Sequence, residues 1–247
     1  MQFKLTFEVT EPLTLPRSYH SALQGMIYRV LSASPEFSAF LHDNGYARER
    51  RAYKLFVFGP LDGPYSVRDG RIAFPGPLSL EIRSPGADFC RVFAEAIAKN
   101  GAVTIGPRRL HVEACEIRRR RIEADRVNIK TRSPLCLTRT IDDGAKKKAL
   151  FLSPEDRDFP ALLNENFTRK YCAAFGREPD APIAVEKVAR LRKYVTQYRR
   201  GIYITAWHGE FRLSGSPDAL DFLYQTGLGS RNSQGFGMFA LNESVRS

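Results

Sequence analysis

Hydrophobic and polar residues alternate from the first strand onward: Phe3, Leu5, Phe7 and Val9 fall on one face of an extended chain. The period then lengthens. Between residues 18 and 32, Leu23, Met26, Ile27, Val30 and Leu31 recur at three- and four-residue intervals, which predicts an amphipathic helix. A short helix over 35–42 opens on Pro35 and carries Phe37, Phe40 and Leu41. Strands follow near 54–58, 71–74 and 79–83. A second long helix spans 87–99 on Phe89, Val92, Phe93, Ala96 and Ile97, and Gly101 is its expected left-handed cap. Residues 109–118 return to alternation. With one extra hairpin strand set aside, the order is βαββαβ.

The second half has the same grammar. Strands near 128–137 and 148–152 precede a helix with Ser153 as N-cap and Pro154 at its first position. That helix runs towards Gly176 and turns Leu162, Leu163, Phe167 and Tyr171 inward. Strands near 183–195 and 202–213 meet at the basic turn Arg199-Arg200-Gly201. A helix capped by Ser216-Pro217 buries Leu220, Leu223 and Tyr224, and a short apolar strand closes the pattern. The fold class is therefore α+β, with two tandem ferredoxin-like domains over residues 1–121 and 122–247. Element order alone carries this reading, since no sequence repeat accompanies it.

Between the last helix and the last strand lies Gly227-Leu228-Gly229-Ser230-Arg231-Asn232-Ser233-Gln234-Gly235-Phe236-Gly237. Gly227, Gly229, Gly235 and Gly237 permit positive φ and bring backbone N–H groups close to a ligand. Ser230, Arg231, Asn232 and Ser233 fill the polar centre, and such a run can form a nest of donors for phosphate oxygens. A helix precedes these glycines and a strand follows. That order excludes both the dinucleotide fingerprint and the P-loop, where the strand comes first.

Charge strengthens the phosphate reading. Lys and Arg number 38 against 27 Asp and Glu, giving a net charge of +11 that both halves share. Basic clusters at Arg48, Arg50 and Arg51, at Arg108 and Arg109, at Arg118 to Arg121, at Lys146 to Lys148, at Arg190, Arg192 and Lys193, and at Arg199 and Arg200 suit a polyanion footprint. An apolar share of 43% belongs to a folded protein, and no apolar run approaches a membrane span. Cys90, Cys115, Cys136 and Cys172 are widely spaced without a C-x-x-C pair, so neither a zinc site nor a disulfide framework is expected. The chain enters a strand at once, without a secretory leader, which implies a cytoplasmic protein.

The acidic residues are scattered, and neither a metal nor another cofactor is expected. Of the four histidines, His20, His111 and His208 sit in regular elements where a structural or exposed role is the plain reading. His42 ends the short helix at the polar turn Asp43-Asn44-Gly45. Tyr28 follows Gln24 by one helical turn, and Lys54 opens the strand Lys54-Leu55-Phe56-Val57-Phe58. Taken together, Tyr28, His42 and Lys54 match the needs of metal-free RNA scission. One group takes the 2′-hydroxyl proton, another protonates the leaving 5′-oxygen, and a cation stabilises the five-coordinate phosphorus.

Four stretches carry a family resemblance: Leu23-Gln24-Gly25-Met26-Ile27-Tyr28, Leu41-His42-Asp43, Tyr53-Lys54-Leu55-Phe56, and Gly201-Ile202-Tyr203 through Ala206-Trp207-His208 into Gly227 to Gly237. In these the sequence resembles the CRISPR-associated Cas6 endoribonucleases, which trim repeat RNA into guide RNAs. The glycine pattern is shared with the wider repeat-associated RNA-binding superfamily, whereas the first three stretches are particular to Cas6. The resemblance implies two ferredoxin-like domains and metal-independent cleavage to a 2′,3′-cyclic phosphate. It also implies that Tyr28, His42 and Lys54 stand at the catalytic positions. The segment from His42 to Lys54 is longer than the family's usual one, which leaves Arg48, Arg50 or Arg51 as alternative sources of positive charge. The implied partners are CRISPR repeat RNA and other CRISPR-associated proteins of an interference complex. The sequence leaves homodimer formation open. The alternative reading is a non-catalytic RNA-binding subunit of such a complex. An RRM-type module fits less well, because its aromatic glycine signature belongs on an internal strand followed by a helix.

Overall fold

The computed structural model describes residues 1–41, 45–48, 51–142, 144, 147–199 and 201–242. His42, Arg50, Lys146 and Arg200 lie outside them.

The alternating start is β1 (Gln2–Glu8), with Phe3, Leu5 and Phe7 fully buried. After β2 (Leu13–Pro16) comes α1 (His20–Leu31), whose stripe from Leu23 to Leu31 packs into the core. Ser34 caps α2 (Pro35–Ala39), its hydroxyl accepting from the Phe37 N–H at 3.3 Å. The chain then forms a hairpin of β3 (Tyr46–Arg48) and β4 (Arg51–Tyr53), followed by β5 (Val57–Phe58). The strand expected over 54–58 is thus confined to its last two residues. Leu55 has a left-handed φ of 46°, which interrupts extended backbone and sends its side chain to the second core. β6 (Ser66–Arg68) and β7 (Arg71–Phe74) make an outlying sheet with β2, and β8 (Leu78–Arg83) returns to the main one. α3 (Ala87–Asn100) ends on Gly101 at φ 59°, as its sequence predicts, and leads to β9 (Ala102–Ile105) and β10 (Arg108–Arg118).

In this half the sheet runs β5-β8-β1-β10-β9. The strands that begin the two βαβ units, β1 and β8, lie side by side in the middle, and α1 and α3 cover one face. This is the split βαβ arrangement of a ferredoxin-like fold, with β9 added at one edge.

The second half starts with β11 (Arg126–Thr131), a hairpin of β12 (Thr138–Asp142) and β13 (Lys147–Phe151), and α4 (Phe159–Phe175). A long hairpin of β14 (Ala184–Arg199) and β15 (Ile202–Ser214) follows. α5 (Pro217–Thr226) and β16 (Phe239–Leu241) complete it. The sheet order β14-β15-β11-β16 again places the first and third strands of the motif in the centre. The two tandem ferredoxin-like units are present. No helix among the described residues is long and apolar enough to cross a membrane.

Two expectations change here. The strand near 128–137 ends at Thr131, because Pro134 has no N–H to donate and Leu135 pairs separately with Trp207. The α4 helix begins at Phe159 instead of after Ser153. The Ser153 N–H donates to Asp156 Oδ2 at 2.8 Å and its hydroxyl accepts from the Glu155 N–H. The polar run 154–158 has no apolar face to bury, so it stays in turns, and Asp158 takes the N-cap position.

Candidate active site

The last helix decides where the glycine segment starts. Ser216 caps α5 through the Ala219 N–H, and Ala219, Leu220, Phe222 and Leu223 bury its inner face. The chain then folds back on itself. Gly227, Gly229, Gly235 and Gly237 all have positive φ, and each meets another part of the protein closely. A Cβ on Gly237 would stand 2.0 Å from the Leu228 carbonyl oxygen, and one on Gly229 would stand 2.5 Å from that of Cys136. Gly235 faces Phe58 and His20, and Gly227 faces Val57. The approaches that demand glycine are therefore made within the protein itself.

Several loop amides are also committed internally. Leu228 donates to Gly237, Ser230 to Cys136, and Gly237 to Pro134, at 2.7 to 2.9 Å. Among the described residues, the N–H groups of Gly229, Arg231, Asn232 and Ser233 have no acceptor. Arg231 is left-handed at φ 61° and a 3-10 turn follows over Asn232–Gln234. An alternation of this hand points successive donors to one side.

That side is a cavity of about 360 Å³. Gly229 to Gln234 form one wall, and Lys54, Phe56, Asn166 and Lys170 line the others. Among the described residues no carboxylate lines it, and the cavity combines amide donors with ammonium groups, a setting that favours an anion. Lys54 follows β4, and its Nζ lies 3.2 Å from where a Cβ on Gly45 would be. Tyr28 stands behind this wall, half-buried, with its ring edge-on to Phe56 at 6.0 Å. Burial, and then Tyr198, push its hydroxyl pKa above the ordinary value, so the phenol is protonated at neutral pH. Gly227, Gly235 and Gly237 do not line the cavity. Arg199 ends β14, and Arg200 and His42 fall outside the described residues. The chain flanking His42 is anchored by Leu41, which is fully buried in the first core.

Three side chains that sequence reasoning missed fasten this arrangement. Gln24 of α1 donates from Nε2 to the Ser233 carbonyl at 2.8 Å and accepts from the Tyr198 hydroxyl. Tyr28 is one turn further along the same helix face, so one helix carries both. Arg83 of β8 is 2% exposed and bonds to the carbonyls of Tyr224 and Phe239 at 3.2 and 2.8 Å, one on each side of the glycine segment. Its guanidinium also lies 3.7 Å over the Tyr224 ring and pairs with Glu81. Lys170 of α4, 3% exposed, donates from Nζ to the Gly227 carbonyl at 2.5 Å and to Asn232 Oδ1 at 3.0 Å. Burial pushes its pKa down to about 7. The sequence did hold a signal for Lys170: it occupies the same inward stripe as Leu163 and Phe167.

His20 and His208 have structural surroundings. His20 stacks on Phe236 at 5.1 Å, and His208 Nδ1 is 3.3 Å from Thr131 Oγ1. Burial depresses both to about 4, helped by the other histidine for His20 and by Arg192 for His208.

Two ferredoxin-like units, with a glycine segment of the second packed against the first and a cavity there lined by cations and, among the described residues, by no carboxylate, define a tandem polyanion-binding protein. Residues 116–241 match the family model for CRISPR associated protein Cas6, C-terminal, and the chain belongs to this family. The CRISPR-associated endoribonuclease Cas6 of Pyrococcus furiosus is 25% identical over 226 residues, covering 91% of this chain and 82% of that protein. The CRISPR-associated endoribonuclease Cas6 1 of Methanocaldococcus jannaschii is 26% identical over 241 residues, covering 96% and 91%. A solved CRISPR associated protein Cas6 superposes with a TM-score of 0.80 at 25% identity, covering 98% of this chain and 99% of its own. An RAMP protein binding different RNA substrates shares the fold, with a TM-score of 0.83 at 22% identity over 98% and 100%.

Proposed function

We propose that this protein is an endoribonuclease that cuts CRISPR repeat RNA in precursor transcripts to release guide RNAs, without a metal ion. The observation that carries the reading is the shared cavity. Lys54 and the unpaired amides of Gly229 and Arg231 to Ser233 line it together, and Gln24 ties the helix of Tyr28 to the same segment.

In this reading the 2′-oxygen attacks the adjacent phosphorus as its proton leaves. The bond to the 5′-oxygen breaks, and that oxygen takes up a proton. The products are a 2′,3′-cyclic phosphate and a 5′-hydroxyl. His42 is assigned to proton transfer, which suits its ordinary pKa range. Tyr28, a protonated phenol whose pKa burial raises further, is assigned to donating a hydrogen bond to the reacting phosphate or to sharing the proton. Lys54 is assigned to the phosphorane charge, with Arg48, Arg50 and Arg51 nearby in sequence. The amides of Gly229 to Ser233 position phosphate, and Arg199 and Arg200 extend the basic footprint along the hairpin.

The division into residues 1–121 and 122–247 belongs to the same proposal. It is supported by β10 ending at Arg118 and by Ile122 packing in the second core. The four cysteines are free thiols, which suits a cytoplasmic site of action.

The test is incubation with the repeat RNA of a neighbouring CRISPR array in EDTA, beside RNA carrying one 2′-deoxy substitution 5′ of the cut. Cleavage in EDTA with a cyclic phosphate end, and binding without cleavage of the deoxy RNA, are expected. Normal cutting of the deoxy RNA would show that water is the nucleophile and overturn the mechanism. Tight binding of unmodified RNA without any cutting would favour the non-catalytic subunit.

A further inference from the structure

A second cavity, of about 790 Å³, opens where the small β2-β7-β6 sheet meets β14. Its walls carry the rings of Tyr19, Tyr65 and Tyr194, the polar side chains of Thr196 and Gln197, and the guanidinium of Arg17. Tyr65 is 64% exposed, although its ring leans on Phe74 at 6.1 Å. Val67 and Val195 beside it are about half exposed. Among the described residues, Arg17 has no carboxylate partner and no carboxylate lines the groove. An exposed aromatic face backed by further rings, an unpaired cation and neutral hydrogen-bonding groups are the chemistry of a surface that takes unpaired nucleobases and their phosphates.

Helix α1 spans the distance between this groove and the first cavity. Tyr19 sits at the start of α1, Gln24 reaches the glycine segment from its middle, and Tyr28 stands near its end. At about 1.5 Å per residue, Tyr19 and Tyr28 stand roughly 14 Å apart along the helix axis. A second link is a ladder of rings: Tyr194 meets His20 edge-on at 6.2 Å, and His20 stacks on Phe236 inside the glycine segment. An RNA strand passing from the first cavity along α1 would meet Arg17 and the tyrosines.

We infer that this groove is a stacking subsite for unpaired nucleotides of the RNA substrate, a few positions from the cut phosphate. The inference rests on the function proposed above. A protein partner or a second copy of the chain would find there only one sign of charge and no acid to pair with its own cations. An RNA strand matches both the charge and the rings.

The test is a coupling measurement with the full chain and repeat RNA made uncleavable by 2′-deoxy substitution. Single abasic nucleotides are placed in turn along the RNA on both sides of the cut, and affinity is measured for wild type, Tyr65→Ala and Tyr65→Phe. Tyr65→Ala is expected to weaken binding roughly tenfold, the ordinary worth of one stacked base, and Tyr65→Phe to restore it. At one abasic position wild type should lose the same factor while Tyr65→Ala loses nothing further, because the stacked pair is already broken. Arg17→Ala should reduce the dependence of affinity on salt by about one phosphate. Unchanged affinity in Tyr65→Ala, or the absence of any abasic position that couples to it, would overturn the inference. So would a Tyr65→Ala protein that binds RNA normally but loses a dimer in solution, since a second copy would then own the groove. Wild-type protein that cuts repeat RNA without this coupling refutes the groove alone, whereas wild type that neither binds nor cuts refutes the proposed function as well.

Discussion

Two buried cations grip the glycine segment from opposite sides, and they are built differently. Arg83 reaches it from the first unit with a carboxylate partner, two backbone carbonyls and an aromatic face. Lys170 reaches it from the second unit and meets only neutral oxygens, those of Gly227 and Asn232. The guanidinium stays charged, and its planar fork can serve several acceptors at once. The ammonium is compact and loses its charge readily when dehydrated, so its pKa falls to about 7. Arg83 is therefore a permanent latch between units. Lys170 gives up charge that a negative ligand in the adjoining cavity would stabilise.

The sharpest way to break this contrast is to remove each cation. Arg83→Ala leaves Glu81 and two carbonyls behind and should cost about 3–5 kcal/mol, read from denaturant unfolding. A loss below 1 kcal/mol would deny Arg83 its role as latch. Lys170→Met keeps the apolar length of the side chain and should cost less, with a sign that depends on pH. The native lysine sheds its proton near pH 7, far below the unfolded chain's 10.5, so the native state binds fewer protons between those values. Wild-type stability from this group is thus lowest below pH 7 and rises towards pH 10.5, by at most about 1.4 kcal/mol per pH unit. Lys170→Met should lack that rise, so its stability relative to wild type is most favourable in acid. Parallel stability curves for the two proteins across that range would contradict it.

Smaller effects sharpen the picture. Tyr28→Phe keeps the ring on Phe56 and removes only the hydroxyl, so single-turnover cleavage should fall about tenfold, less than the roughly 10²- to 10⁴-fold of a principal acid or base. Ser216→Ala removes the cap of the helix that delivers the glycine segment and should cost about 1 kcal/mol by thermal unfolding.

What the sequence revealed follows how local each cause is. α1, α3 and α5 were legible because an apolar stripe and a cap such as Gly101 or Ser216 are written within a few residues. The glycine segment was visible as a pattern, yet its reason was not. Gly229 is forced by the Cys136 carbonyl and Gly235 by Phe58 and His20, neighbours that only the folded chain brings near. Lys170 was hidden in the same way, since Asn232 is 62 residues away, and Gln24 and Ser233 are 209 apart. Leu55 misled for a local reason: its apolar run looks like strand, but the chain turns there to pass its side chain to the other core. The candidate trio of Tyr28, His42 and Lys54 came from resemblance. The surroundings of Tyr28 and Lys54, a half-buried phenol edge-on to Phe56 and an ammonium at a cavity that no described acid lines, could be read only in the fold.

The central claim is that this cavity cuts RNA by proton transfer between side chains and substrate. Single-turnover cleavage of repeat RNA by wild type and His42→Ala, at saturating protein in EDTA, tests it most directly. The account expects wild type to cut and His42→Ala to lose roughly 10²- to 10⁴-fold in rate, with affinity for uncleavable RNA nearly unchanged. Equal rates for the two proteins, or activity that vanishes in EDTA and returns with magnesium, would contradict it.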